Sequence, residues 1–152
     1  MGTRSNIVVT YGNSKTIIYR HWDGYIEGAG YDIASTLINN PSPKDFVREL
    51  LNKKEQDSFT RAGQYIYELT SEIHGDIEYW YELNFPTYYY EHSGNNVIKF
   101  KIYQRDYSNI KEGWHTVCDL KLIPNDKADM NKQLDFIYKS YIAAWHRNNL
   151  KN

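Results

Sequence analysis

Asp76-Ile77-Glu78-Tyr79-Trp80-Tyr81-Glu82-Leu83-Asn84 alternates strictly, with Ile77, Tyr79, Tyr81 and Leu83 on one side and Glu78, Trp80, Glu82 and Asn84 on the other. A period of two marks a half-buried strand, because successive side chains leave a pleated backbone on opposite faces. A strand needs neighbours to satisfy its backbone groups, and the sequence downstream supplies them. Thr87 to Glu91 and Asn96 to Gln104 follow, joined through Ser93-Gly94-Asn95, with Ile98, Phe100 and Ile102 inward and Lys99 and Lys101 outward. A further strand is expected from Trp114 to Ile123. Links of hairpin length make these strands antiparallel neighbours.

Working back toward the start, Asn6 to Tyr11 and Lys15 to Trp22 are β-branched and aromatic around the turn signal Gly12-Asn13, so the chain opens on a hairpin. Asp23-Gly24-Tyr25-Ile26-Glu27-Gly28-Ala29-Gly30 then leads into Ile33, Leu37 and Ile38 at helical spacing, ended by Asn39-Asn40-Pro41. A second helix starts with Ser42 as N-cap and Pro43 at its first position, and carries Phe46, Val47, Leu50 and Leu51. Between Ser58 and Ile73 the residues Phe59, Ala62, Ile66, Leu69 and Ile73 step by three and four, with Gly75 placed as a C-cap, so a third helix is expected. Ala128 to Asn148 carries Met130, Leu134, Ile137, Tyr138, Tyr141, Ile142 and Trp145 at helical period, a stripe suited to core packing or a homodimer contact. The order ββαααββββα indicates a single α+β domain over 1–152: a largely antiparallel sheet of about six strands against three to four helices.

A chain of 152 residues with 41% hydrophobic content is long enough for one core, and 16% aromatic residues exclude disorder. A formal charge of -1 gives no global attraction to nucleic acid or an anionic membrane, and no stretch approaches the ~20 apolar residues of a membrane span. Cys118 stands alone, which rules out an internal disulfide and suits a reducing cytoplasm. The five histidines fall in no metal-binding spacing, so neither metal nor cofactor is expected. His115 and Cys118, three apart on a strand, are expected on opposite faces, which leaves Cys118 a small core residue beside Thr116 and Leu120.

Two stretches carry the functional expectations. In the first, glycines beside polar and aromatic residues let backbone amides approach a ligand, and the candidates are Tyr19, His21, Asp23, Gly24, Tyr25, Glu27, Gly28 and Gly30. A nucleotide-like ligand is one reading, although Asp23, Glu27 and Asp32 work against an anion. His21 and Asp23, two apart on a strand, would share a face as an imidazole and its orienting carboxylate, which makes a small phosphoester hydrolase a further alternative. The bland account is that Asp-Gly and Gly-x-Gly only make turns.

The second stretch runs from Arg61 to Lys99, which enclose no basic residue but hold Glu68, Glu72, Asp76, Glu78, Glu82 and Glu91. Nine aromatic residues fall there too. Rings with a polar handle recur as interface anchors and the acids would steer a basic partner, so Glu78, Trp80, Glu82, Tyr88, Tyr89 and Tyr90 form a candidate protein-binding face. Stacking of single-stranded nucleic acid is disfavoured, since the rings lie in the most acidic part of the chain. Buried rings and solvated acids are the bland account.

Met1-Gly2-Thr3-Arg4-Ser5-Asn6-Ile7, followed by His21-Trp22-Asp23-Gly24-Tyr25 and Glu27-Gly28, resembles an uncharacterised family of small phage and prophage proteins that start M-x-T-R-S-x-I and continue H-W-D-G-Y-P-E-G. Ile26 departs from that pattern, where Pro is expected. The resemblance covers about the first quarter of the chain and implies synthesis in a bacterial cytoplasm. That provenance, together with the segregated charge, gives the leading expectation of a non-enzymatic protein that binds a host factor through the acidic, aromatic face and inhibits or modulates it.

Overall fold

The computed structural model describes residues 3–56, 61–87, 96–106, 113–124 and 126–150. The chain runs β1 (Ser5–Tyr11), β2 (Ser14–Arg20), one π-helical turn (Ile26–Gly30), α1 (Tyr31–Asn39), α2 (Pro43–Leu51), β3 (Tyr67–Thr70), β4 (Tyr79–Phe85), β5 (Ile98–Asp106), β6 (Gly113–Leu122), α3 (Lys127–Gln133) and α4 (Asp135–Leu150). The strands form one sheet in the order β3-β2-β1-β4-β5-β6. Every neighbouring pair is antiparallel except β1 with β4. A parallel pair requires a long crossover, and the helices α1 and α2 lie in the connection that provides it. The α+β architecture and its element order are therefore those expected.

The alternating stretch becomes β4, in the interior of the sheet. Its inward residues Tyr81 and Leu83 meet Ile7 and Val9 of β1 and Phe100 and Ile102 of β5 in one core with Ile33, Leu37, Phe46, Leu50, Met130, Leu134 and Ile137. All four α-helices of the described residues contribute to that cluster, so they cover a single face of the sheet. Full burial of each large apolar side chain stabilises by about 1.5–3 kcal/mol relative to exposure. At one corner of the opposite face the β3–β4 connection folds back. There the His74 ring stacks on Tyr19 with centroids 3.9 Å apart, and the His74 backbone N–H donates to Asn6 Oδ1 at 2.8 Å.

Local signals hold where they were strongest. Ser42 takes the N-cap position of α2 with Pro43 in the first turn, but its hydroxyl makes no bond to the helix backbone and instead donates from Oγ to Asp45 Oδ2 at 2.9 Å. Gly12 takes φ +58 in the two-residue turn between β1 and β2. Three expectations are corrected. Residues 67–70 are an edge strand rather than part of a helix over 58–73, because Tyr67 pairs with Arg20 across the sheet and its ring is buried there. The helical period was coincidental: Leu69, on the supposed apolar stripe, is 63% exposed. Thus the three helical units after the hairpin are the π turn, α1 and α2, and β3 makes the sixth strand; of the expected strand 87–91, residues 88–91 lie outside the described residues. The final helix is broken at Leu134, whose buried side chain sits between α3 and α4.

A register shift between Ile102 and Tyr103 corrects the third expectation. Cys118 lies opposite Ile102 and His115 opposite Gln104, two positions of one face, because the extra residue Val117 in β6 flips the alternation. Thr116, opposite Tyr103, moves to the outer face. Cys118 still packs half-buried against the core, where burial pushes its thiol up to about 11.

Candidate binding site

The opening residues and the glycine stretch meet in space. Gly24 N–H donates to Thr3 O at 2.8 Å, and a Cβ on Gly24 would fall 2.8 Å from Ser5 Cβ, so only glycine permits the approach. Tyr81, from the middle of β4, donates its hydroxyl to Gly24 O at 2.7 Å. Asp23 adopts φ +53, a conformation short polar residues tolerate, and its carbonyl accepts the Ala29 N–H at 3.0 Å. Gly28 lies so close beneath that a Cβ there would stand 2.1 Å from Asp23 O. These glycines admit the protein's own backbone, not a ligand's.

The strand before the turn sends its residues to two faces. Arg20 points to the helix side and is 4% exposed. Its Nη1 donates to Asp32 Oδ2 at 2.8 Å and to the Tyr67 hydroxyl, which itself donates to Asp32 Oδ2 at 2.8 Å, while Nε donates to Trp22 O. Burial works against the Arg20 charge, but Tyr67 and Asp32 outweigh it and hold the guanidinium above its usual range. Tyr19 and His21 lie on the other face. There Tyr19 donates to Asp76 at 3.0 Å, and His21 Nε2 lies 2.8 Å from Glu68 Oε1. Asp23 instead accepts the Tyr25 hydroxyl at 3.0 Å. The imidazole and carboxylate expected to work together thus have separate partners.

What the turn does form is one wall of a cavity of about 190 Å³. Asp23, Tyr25, Glu27 and Gly28 line it on one side, Arg20 forms part of it, and Tyr141, Ala144, Trp145 and Asn148 of α4 close the other. The α4 residues recur at intervals of three and four, hence on one helix face. Tyr31, beginning α1, stacks on Tyr141 with centroids 3.8 Å apart and an 11° angle, which holds that ring in place. Tyr25 is pushed up to about 12, first by burial and then by its bond to Asp23 and the nearby Glu27, so it stays a neutral donor. Among the described residues neither Asp23 nor Glu27 takes part in an ion pair.

Of the eight residues expected in a ligand site, Asp23, Tyr25, Glu27 and Gly28 line this cavity, whereas Gly24 and Gly30 are buried packing positions and Tyr19 and His21 face away. Sequence reasoning missed Arg20, Tyr141, Ala144, Trp145 and Asn148. The signals were faint: a charged residue at the inward position after Ile18, and rings on the second half of a helix whose first half holds the core residue Ile137.

The β4 face is less acidic than its sequence. Glu82 lies directly opposite Lys101, and Lys101 opposite Asp119, so pairing interleaves the charges. Trp80 is half-buried against Tyr103 and Trp114, with centroids 6.0 and 5.7 Å away, and its indole Nε1 is buried without a hydrogen-bond partner among the described residues. Glu78 is half-buried beside Arg4, whose carbonyl accepts its N–H. Tyr88, Tyr89 and Tyr90 lie outside the described residues. Tyr67, Tyr81 and Phe85 are core.

A larger hollow, about 550 Å³, opens at the other end of the sheet where all four prolines gather with Tyr11, Phe85 and Asn96. Proline lacks an N–H and collects where ladders end. No metal-binding group of three or more His, Cys, Asp or Glu residues occurs among the described residues, and no helix there is long and apolar enough to cross a membrane. Comparison with family models, curated proteins and solved structures finds no match to this chain.

Proposed function

We propose that the protein is a non-enzymatic binding protein that holds another protein against the face shared by the 23–28 turn and α4. The observation that carries this is the cluster of exposed apolar side chains there: Tyr141, Ile142 and Trp145 are 37%, 52% and 51% exposed, next to a concave site. Large rings already held by neighbours lose little entropy on docking and make effective anchors. The expected acidic, aromatic chemistry is retained, but its location moves from β4 to α4 and the turn. The resemblance to phage and prophage proteins supports a host factor in the bacterial cytoplasm as the partner.

A nucleotide is less well served. The cavity is smaller than the ~300–1,000 Å³ of pockets for drug-sized ligands, and two carboxylates face where phosphates would sit. Affinity capture from a bacterial host with the wild type and with Tyr141→Ala/Trp145→Ala tests the proposal. Partners retained by the wild type and lost by the double variant are expected; an unchanged set removes this face.

A further inference from the structure

Resting on that reading, we propose that the cavity between the turn and α4 receives a basic side chain, the ammonium of a lysine or the guanidinium of an arginine, presented by the partner protein. Three observations converge on a cation. Asp23 and Glu27 are half-buried carboxylates on one wall, and among the described residues no Lys or Arg is paired with either. The opposite wall is aromatic, from Tyr141 and Trp145, and aromatic faces attract cations through their quadrupole. Arg20, the one cation among the described residues of the lining, is already neutralised by Asp32 at 2.8 Å, so those residues keep an excess of two negative charges.

Size selects a side chain. A volume of about 190 Å³ equals about six waters at their share of liquid volume, enough for a charged head and a few methylenes. Exposed Ile142 and Trp145 extend the apolar surface beyond the cavity mouth, where a free amine would leave them in water and a protein would cover them. Tyr25 donates to Asp23 Oδ1 and so leaves Oδ2 to accept from the incoming head group.

The test uses the full chain, nuclear magnetic resonance and two probes: Nα-acetyl-lysine N-methylamide and its neutral Nε-acetylated counterpart. The cationic probe should shift the Trp145 indole and the amides of residues 24–30 saturably, and the neutral probe should not. Glu27→Gln should weaken the response at least about tenfold, since it removes a charge-assisted acceptor. Ala144→Lys should abolish it by supplying the cation from within. Equal response to both probes, no response, or shifts confined elsewhere would overturn the proposal. A dimer in light scattering that Trp145→Ala dissociates would place a second copy on this face and also overturn it. If Tyr141→Ala/Trp145→Ala abolishes partner capture while Glu27→Gln and Ala144→Lys leave it intact, the binding face stands and the basic occupant falls.

Discussion

Asn6 is wholly buried, yet both ends of its amide are used: Nδ2 donates to Ile18 O at 2.9 Å and Oδ1 accepts from His74 N–H. Asn6→Leu would strand both partners, and a loss of about 2–4 kcal/mol is expected in urea denaturation. The glycines give a sharper contrast. Gly28→Ala must push a Cβ away from Asp23 O and should destabilise by about 1–3 kcal/mol, whereas Gly75→Ala meets nothing within 4 Å and should change stability by less than about 0.5 kcal/mol. Equal effects at the two positions would contradict the packing described. At this scale the sequence announced that the 23–30 stretch was unusual. It left open whether the close approach was to a ligand or to Ser5 and Asp23, because a glycine marks a missing Cβ and not what fills its place.

Elements were legible where their determinants are local. Cap, first-turn proline and apolar stripe all lie within α2 itself, and a turn of two residues sets the β1–β2 register. β3 was illegible because its four residues are held by pairing with β2 and by the burial of Tyr67 against Arg20, contacts 47 residues distant. The bulge in β6 was likewise silent: a single extra residue leaves no periodic signature in a ten-residue strand. It has a chemical consequence. With its thiol pushed up to about 11 from 9.0, native Cys118 should carry about a hundredfold less thiolate than an unperturbed cysteine at mildly alkaline pH. Its labelling by a disulfide reagent should therefore be slow in the folded protein and fast in urea; rapid native labelling would refute this environment.

For the whole molecule, the Arg20–Asp32–Tyr67 network ties β2, α1 and β3 together beneath the site. Asp32→Ala would leave a buried guanidinium without its counter-charge, and a loss of about 3–5 kcal/mol is expected by denaturation. Alkali should act globally as well. Tyr19, through burial and its bond to Asp76, and Tyr25, through burial and its bond to Asp23, are each pushed up to about 12 from 10.0. The unfolded chain then loses these protons at lower pH than the native state, so their contribution is complete below pH 10 and disappears as pH rises toward 12. Tyr19→Phe/Tyr25→Phe should flatten that fall in a denaturation series; an unchanged slope would refute it. By itself the sequence determined the α+β class, the alternating core strands and the capped helix, because side-chain period and caps are properties of neighbouring residues. Only the tertiary structure decided the site. Strand pairing set Lys101 opposite Glu82 and dispersed the acidic run, while packing carried Tyr141 and Trp145 more than a hundred residues along the chain to Asp23 and Glu27. A surface is made by long-range contacts, and no local pattern encodes which segments meet.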